Sequence, residues 1–188
     1  MHIFNAPKEF QELIKSPILN ESCSLINFQI SENKPDVNSS FALFLKENND
    51  FIPILKELLN KDSKIIIFDS YAKLAYLGFK TDNLLLAGLQ YWSDENYSIL
   101  RANCVKFYPL KEISIDGKDE VCDAIMSVCK DSSRFHIHID ESIINSTGLT
   151  TRELIYFIQR IRLLKAVKSI SLNIKDVNLS LKLISELF

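Results

Sequence analysis

The chain has 188 residues, 47% of them hydrophobic and 24% charged, with a formal net charge of −2. That length and balance suit one globular domain with a single sizeable core, and they exclude a disordered chain. The apolar runs are only a few residues long, against the roughly 20 needed to span a bilayer, and the basic residues are dispersed, so neither membrane spanning nor nucleic-acid binding is expected. The stretch from Met1 to Lys15 carries Lys8, Glu9 and Glu12 among its apolar residues and lacks the apolar centre of a signal peptide. Cys23, Cys104, Cys122 and Cys129 form no C-x-x-C pair. Cys122 and Cys129 are seven apart on a predicted helix, which separates their Cα atoms by about 10 Å, too far for a disulfide. Reduced thiols in a cytoplasmic protein are expected. Gly78, Gly88, Gly117 and Gly148 are isolated, which excludes a glycine loop for phosphate.

In chain order, Ser24 to Ile30 reads as an N-terminal strand and Ser31 to Ser40 as a polar loop. Pro53 to Asn60 suits a short helix with proline in its first turn. Ile65 to Asp69 and Asn83 to Gln90 are apolar runs of strand length. Ser93 caps a helix from Asp94 to about Asn103, with acidic residues at its positive end. Val105 to Tyr108 is a short strand stopped by Pro109. Lys118 to Lys130 is amphipathic, with Val121, Ile125, Val128 and Cys129 spaced by threes and fours. Phe135 to Asp140 is a strand. Thr150 or Thr151 caps a helix from Arg152 to about Lys165, where Glu153 suits the dipole and Leu154, Ile155, Ile158, Ile161 and Leu164 form the core stripe. Lys168 to Ile174 is a last strand and Leu179 to Phe188 a closing helix. Strands alternating with helices predict a three-layer, doubly wound α/β domain with a mainly parallel sheet.

Two strands end in carboxylates, Lys64-Ile-Ile-Ile-Phe-Asp69 and Arg134-Phe-His-Ile-His-Ile-Asp140. In open α/β sheets ligands bind beyond such carboxyl ends. Alternation puts His136, His138 and Asp140 on one face. Asp69 and Tyr71 share a side on the other strand, followed by Lys73. Histidines and carboxylates together suit Mn, Fe or Zn, and the plainer alternative is a buried polar cluster of hydrogen-bonded histidines. Ser70 lacks a GxSxG turn and is not read as a nucleophile. His2 is read as a solvated terminal residue, and Tyr91 and Trp92 as half-buried packing, with the lining of a pocket as the alternative. Arg152, Arg160, Arg162 and Lys165 read as a solvated helix face.

The order of these elements, with Gly148-Leu-Thr-Thr-Arg-Glu-Leu154 opening a helix and Leu84 to Glu95 as a strand leading into another, resembles the ureohydrolases, the arginase and agmatinase family. The resemblance runs over roughly residues 41 to 188 of a single domain spanning residues 1–188, with residues 1–40 a divergent N-terminal part. It implies a degenerate and shortened member. In the family, a GGDHS turn, a DAHxD strand end and a DxDxxDP strand end hold two Mn²⁺ ions, whose bridging hydroxide attacks a guanidinium carbon. Here Asn48 falls where a histidine ligand would be. Asp69 matches the first Asp of DAHxD, with Tyr71 and Lys73 in place of its His and second Asp. His138 stands for the first Asp of DxDxxDP, Asp140 matches the second, and Ile143 and Ile144 replace the DP. Asn173 and Asp176 lie where the family has an Asp and the Glu that holds substrate. Between Lys73 and the next strand only Leu74 to Asp82 remain, without the family's proton-shuttling histidine.

Charge carries the expectation that follows. The family's two neutral histidines and four aspartates hold −4 against two divalent ions. The matching positions here hold two carboxylates and one ammonium, a net −1. Beside Lys73 each added positive charge at about 4 Å is opposed by about 4 kcal/mol at an effective dielectric near 20. The sequence therefore predicts vestigial metal positions at Asp69, His138 and Asp140, with Lys73 as the replacement cation pairing with Asp69 or Asp140. No catalytic residue, cofactor or resident metal is expected. The resemblance implies a homo-oligomer or a complex with a related subunit. The competing expectation is a metal-dependent hydrolase of a guanidino or amide C–N bond, holding one Mn, Fe or Zn ion through Asp69, His138, Asp140 and either His136 or Asp176.

Overall fold

The computed structural model describes residues 2–4, 29–31, 42–45, 63–73, 81–164 and 166–187. The predicted helix from Pro53 to Asn60, Asn48, nearly all of the loop from Ser31 to Ser40, Leu74 to Lys80, Cys23 and Lys165 lie outside them. Eight strands form one sheet: β1 (His2–Phe4), β2 (Gln29–Ser31), β3 (Ala42–Leu45), β4 (Ser63–Phe68), β5 (Leu84–Leu89), β6 (Lys106–Pro109), β7 (Arg134–Asp140) and β8 (Val167–Asn173). Their order is β2-β1-β3-β8-β7-β4-β5-β6. Every described pairing is parallel, where the sequence predicts a mainly parallel sheet. Such strands are covered on both faces, which is why β4 and β5 read as unbroken apolar runs.

Five described helices flank the sheet: α1 (Asp94–Ala102), α2 (Leu110–Asp116), α3 (Lys118–Cys129), α4 (Thr151–Arg162) and α5 (Val177–Leu187). Ser93 caps α1 by accepting from the Asn96 N–H, and Thr150 with Glu153 forms a capping box at α4. On one face α2, α3, α4 and α5 bury Ile113, Ile125, Phe157 and Leu183 against Phe68, Ile137 and Ile170. On the other, α1 sets Leu100 against Ile65, Ile67 and Leu86. The core stripe of α4 is Leu154, Phe157, Ile158 and Ile161; Ile155 and Leu164 are only partly buried. Cys122 and Cys129 are buried free thiols and Cys104 is an exposed one.

Two elements depart from the sequence expectation. Pro109 ends β6 as the sequence predicts, and α2, which the sequence does not predict, begins immediately after it: proline's fixed φ suits a helix entry, and Pro109 sits in the extended N-cap position. The sequence does not predict β1, a strand too short for periodicity to reveal. Chain direction then sets the site. From β4 the chain moves outward to β5 and β6, then returns past β4 to β7 and onward to β8. The neighbouring carboxyl ends of β4 and β7 are thus the switch point where α/β sheets open a crevice.

Candidate functional site

The switch point brings Asp69, Lys73 and Asp140 together. β4 and β7 run in register from Ser63↔Arg134 to Phe68↔Ile139, so Asp69 and Asp140 emerge side by side. Lys73 Nζ reaches Asp69 Oδ2 at 2.8 Å and Asp140 Oδ2 at 2.7 Å. The Asp69 side chain is 0% exposed, that of Asp140 8% and that of Lys73 26%, so the ammonium plugs the pair from the solvent side.

Each carboxylate is held by more than the lysine. Asp69 Oδ1 accepts from the Tyr71 N–H at 3.0 Å and the Ser142 hydroxyl at 2.7 Å. Asp140 Oδ1 accepts from the Ser142 N–H at 3.0 Å, and its Oδ2 from Asn173 Nδ2 at 2.8 Å. Both aspartates therefore close a local turn onto the amide two residues ahead, a habit of aspartate at strand ends. Burial pushes the Asp140 carboxyl up, but hydrogen bonds from Lys73, Asn173 and the Ser142 amide, with the lysine charge, hold it at about 2. Burial works to lower the Lys73 ammonium; the bonds and charges of Asp140 and Asp69 prevail, and it is raised.

Sequence reasoning missed Ser142 and Gln90. Ser142 joins the two strand ends: besides both aspartates, its Oγ accepts from the Ser70 N–H and its carbonyl from the Ser70 hydroxyl at 2.7 Å. Gln90 donates to Ser70 Oγ at 2.9 Å and accepts from Thr147. The Asp-Glu-Ser spacing of an aspartate turn was the available signal for Ser142; nothing local pointed to Gln90. Gly88 has φ +84, and a Cβ there would lie 2.1 Å from Ile143 Cδ1. Glycine is thus required where β5 bulges to let Ile143 seat.

The two strand histidines lie deeper and face β8. Register sets His136 beside Ser169, His138 beside Ser171 and Asp140 beside Asn173. His136 Nδ1 lies 2.6 Å from Ser169 Oγ and its Nε2 2.8 Å from Ser171 Oγ. His138 Nδ1 shares that same Ser171 oxygen at 2.8 Å. Burial drives His138 down to about 3, Asp140 opposing and Lys73 adding to the effect. Burial, then the neighbouring His138, holds His136 well below its usual range. Both rings are neutral at physiological pH.

Tyr71 stacks on Tyr91 at 5.1 Å, both 47% exposed, so Tyr91 is the half-buried packing residue the sequence predicts, with Tyr71 as its partner. Asp176 caps α5, its Oδ1 accepting from the Asn178 and Leu179 amides at 2.9 and 3.2 Å. Ile143 is fully buried, and Ser70 is spent on Ser142 and Gln90. Among the described residues no three His, Cys, Asp or Glu side chains converge as a metal ligand set. The donor set does not fit a two-metal centre: an ammonium stands between the two carboxylates. Lys73, Asp140 and both histidines each keep one protonation state through the neutral range, so none is poised to exchange a proton there.

Neither a protein-family model nor a curated protein sequence matches the chain. Solved structures do. A cold-adapted arginase from the psychrophilic yeast Glaciozyma antarctica superimposes with a TM-score of 0.81 at 14% identity, over 100% of this chain and 93% of that one. An arginase from Bacillus subtilis gives 0.80 at 11% identity, over 100% and 97%. The fold is that of the arginases. Formimidoylglutamase from Bacillus subtilis also matches, with a TM-score of 0.65 at 15% identity over 78% of this chain and 60% of that one. In this arginase-like sheet the Asp69–Lys73–Asp140 cluster occupies the switch point, and no described helix is long and apolar enough to cross a membrane.

Proposed function

We propose that this chain is a ureohydrolase-like protein without hydrolytic activity, acting in the cytoplasm through binding or assembly with itself or a related subunit. One observation carries the reading: the Lys73 ammonium bridges Asp69 and Asp140 at 2.8 and 2.7 Å, with Asn173 also donating to Asp140. Two carboxylates neutralised by a covalently attached cation have little left to offer a divalent ion. Two engagements weigh against a mononuclear hydrolase: both nitrogens of His136 are committed to serines, and Asp176 to a helix start.

The test is metal analysis with an activity assay. Protein purified without chelator and dialysed against Mn²⁺ is expected to hold far less than one metal ion per chain. It should release neither urea nor ammonia from a panel of guanidino and amide compounds. Stoichiometric Mn, Fe or Zn, with hydrolysis lost on chelation, would overturn the reading.

A further inference from the structure

At the outer edge of the sheet, β6 pairs with β5 alone among the described residues. α1 approaches this edge from one face through Leu100, and α2 from the other through Ile113. Between the two helices runs a groove of about 790 Å³, with Trp92, Tyr97 and Phe107 along it. The α1 wall carries Arg101, whose guanidinium lies 5.4 Å from the Tyr97 ring centroid. The α2 wall carries Lys111, Glu112, Ile115 and Asp116. Ile115 is 70% exposed and Trp92 39%, which puts a bare apolar knob beside an aromatic hollow. Ion pairs among the described residues lie elsewhere, leaving Arg101, Glu112 and Asp116 without one.

Strand addition is an unsuitable use of this edge. β6 is four residues long, starts with Lys106 and ends with Pro109, features that blunt an edge against pairing. A partner must therefore be read through side chains. The surface holds a groove and a ridge that suit each other, with Arg101 and Lys106 on one side and Glu112 and Asp116, beside Lys111, on the other. A second copy satisfies both walls at once, because a two-fold axis makes every contact twice.

We infer that the groove receives a second copy of this chain, the α2 ridge of each copy entering the groove of the other. This deepens the assembly half of the proposed function and rests on it. Ile115 of one copy packs on the Trp92 and Phe107 side chains of the other. Glu112 and Asp116 meet Arg101, with Lys106 on the same side; Lys111, at the start of α2, stays at the rim.

Sedimentation velocity of the full chain over a wide concentration range tests this. The wild-type chain is expected to form a dimer, and Ile115→Asp to weaken it at least about tenfold, as truncation of a buried anchor does. Arg101→Glu and the double variant Glu112→Lys/Asp116→Lys should each be monomeric alone and dimerise when mixed. All these positions are solvent-exposed or at the rim, and circular dichroism confirms that each variant is folded. A wild-type chain monomeric at every concentration overturns the inference. So does a dimer indifferent to Ile115→Asp, or a mixture that fails to pair. Hydrolysis or bound metal would instead strike the proposed function, a result that sedimentation does not share.

Discussion

The two faces of β7 and β8 carry opposite chemistry on the same strands. One face presents Phe135, Ile137, Ile139, Ile170 and Leu172 to the helices. The other presents His136, His138 and Asp140 opposite Ser169, Ser171 and Asn173. The apolar face gains from area removed from water and is indifferent to direction. The polar face has value only while each group keeps its partner, since an unmade buried hydrogen bond costs more than a made one gains. A one-residue slip would exchange the two sets, so the polar ladder ties the pairing to one register. It also hands the chain on to Asp140, where it meets Lys73.

The sharpest contrast comes from breaking one face at a time. Phe157→Ala empties a fully buried site whose ring packs 5.7 Å from that of Phe68. It should cost about 3–5 kcal/mol in urea denaturation. Next, Lys73→Ala strips one cation from two carboxylates, a loss of about 3 kcal/mol for a pair this enclosed. An unchanged melting temperature would show that the ion pair is not structural. His136→Leu takes the ring away from Ser169 and Ser171 and should cost about 1–3 kcal/mol. Adding Ser169→Ala and Ser171→Ala should recover much of it, because removing both partners is cheaper than stranding one. If the triple change is worse than the single one, the ladder is more than a set of matched pairs.

Acid probes the polar face alone. His138 titrates near 6.5 when unfolded and about 3 when folded. Between those values the unfolded chain binds a proton that the folded chain refuses, so stability falls as pH drops. The loss is about 1.4 kcal/mol per pH unit for each such histidine. Asp140, held at about 2, adds its own loss below its ordinary 3.8. Denaturation at pH 7 and pH 5 should therefore show a marked slope that His136→Leu makes shallower. The smallest expected effect lies away from both faces: Thr150→Ala removes half of the α4 capping box and should cost about 1 kcal/mol.

Legibility followed the range of the interaction. α1, α3 and α4 were readable because caps and three-four spacing are local, and Ser93 and Thr150 cap where expected. Phe157 was not assigned to the α4 stripe, since a partner on another element, Phe68, decides its burial. α2 was hidden behind a proline that both ends β6 and opens the helix. At the site the two aspartates and Lys73 could be singled out by order along the chain. For Ser142 only the turn onto Asp140, two residues back, was legible; its bonds to Ser70 and Asp69 were not, because those partners are 72 and 73 residues away.

Residue order alone determined the α/β architecture, the two acidic strand ends and the lysine that follows the first of them, because periodicity and charge are properties of neighbours. Only the folded sheet decided that one ammonium spans both carboxylates, that serines of β8 occupy the histidines, and that Ile115 stands bare beside an aromatic groove. Those depend on distances between residues far apart in the chain, which strand order and register set and no local pattern encodes.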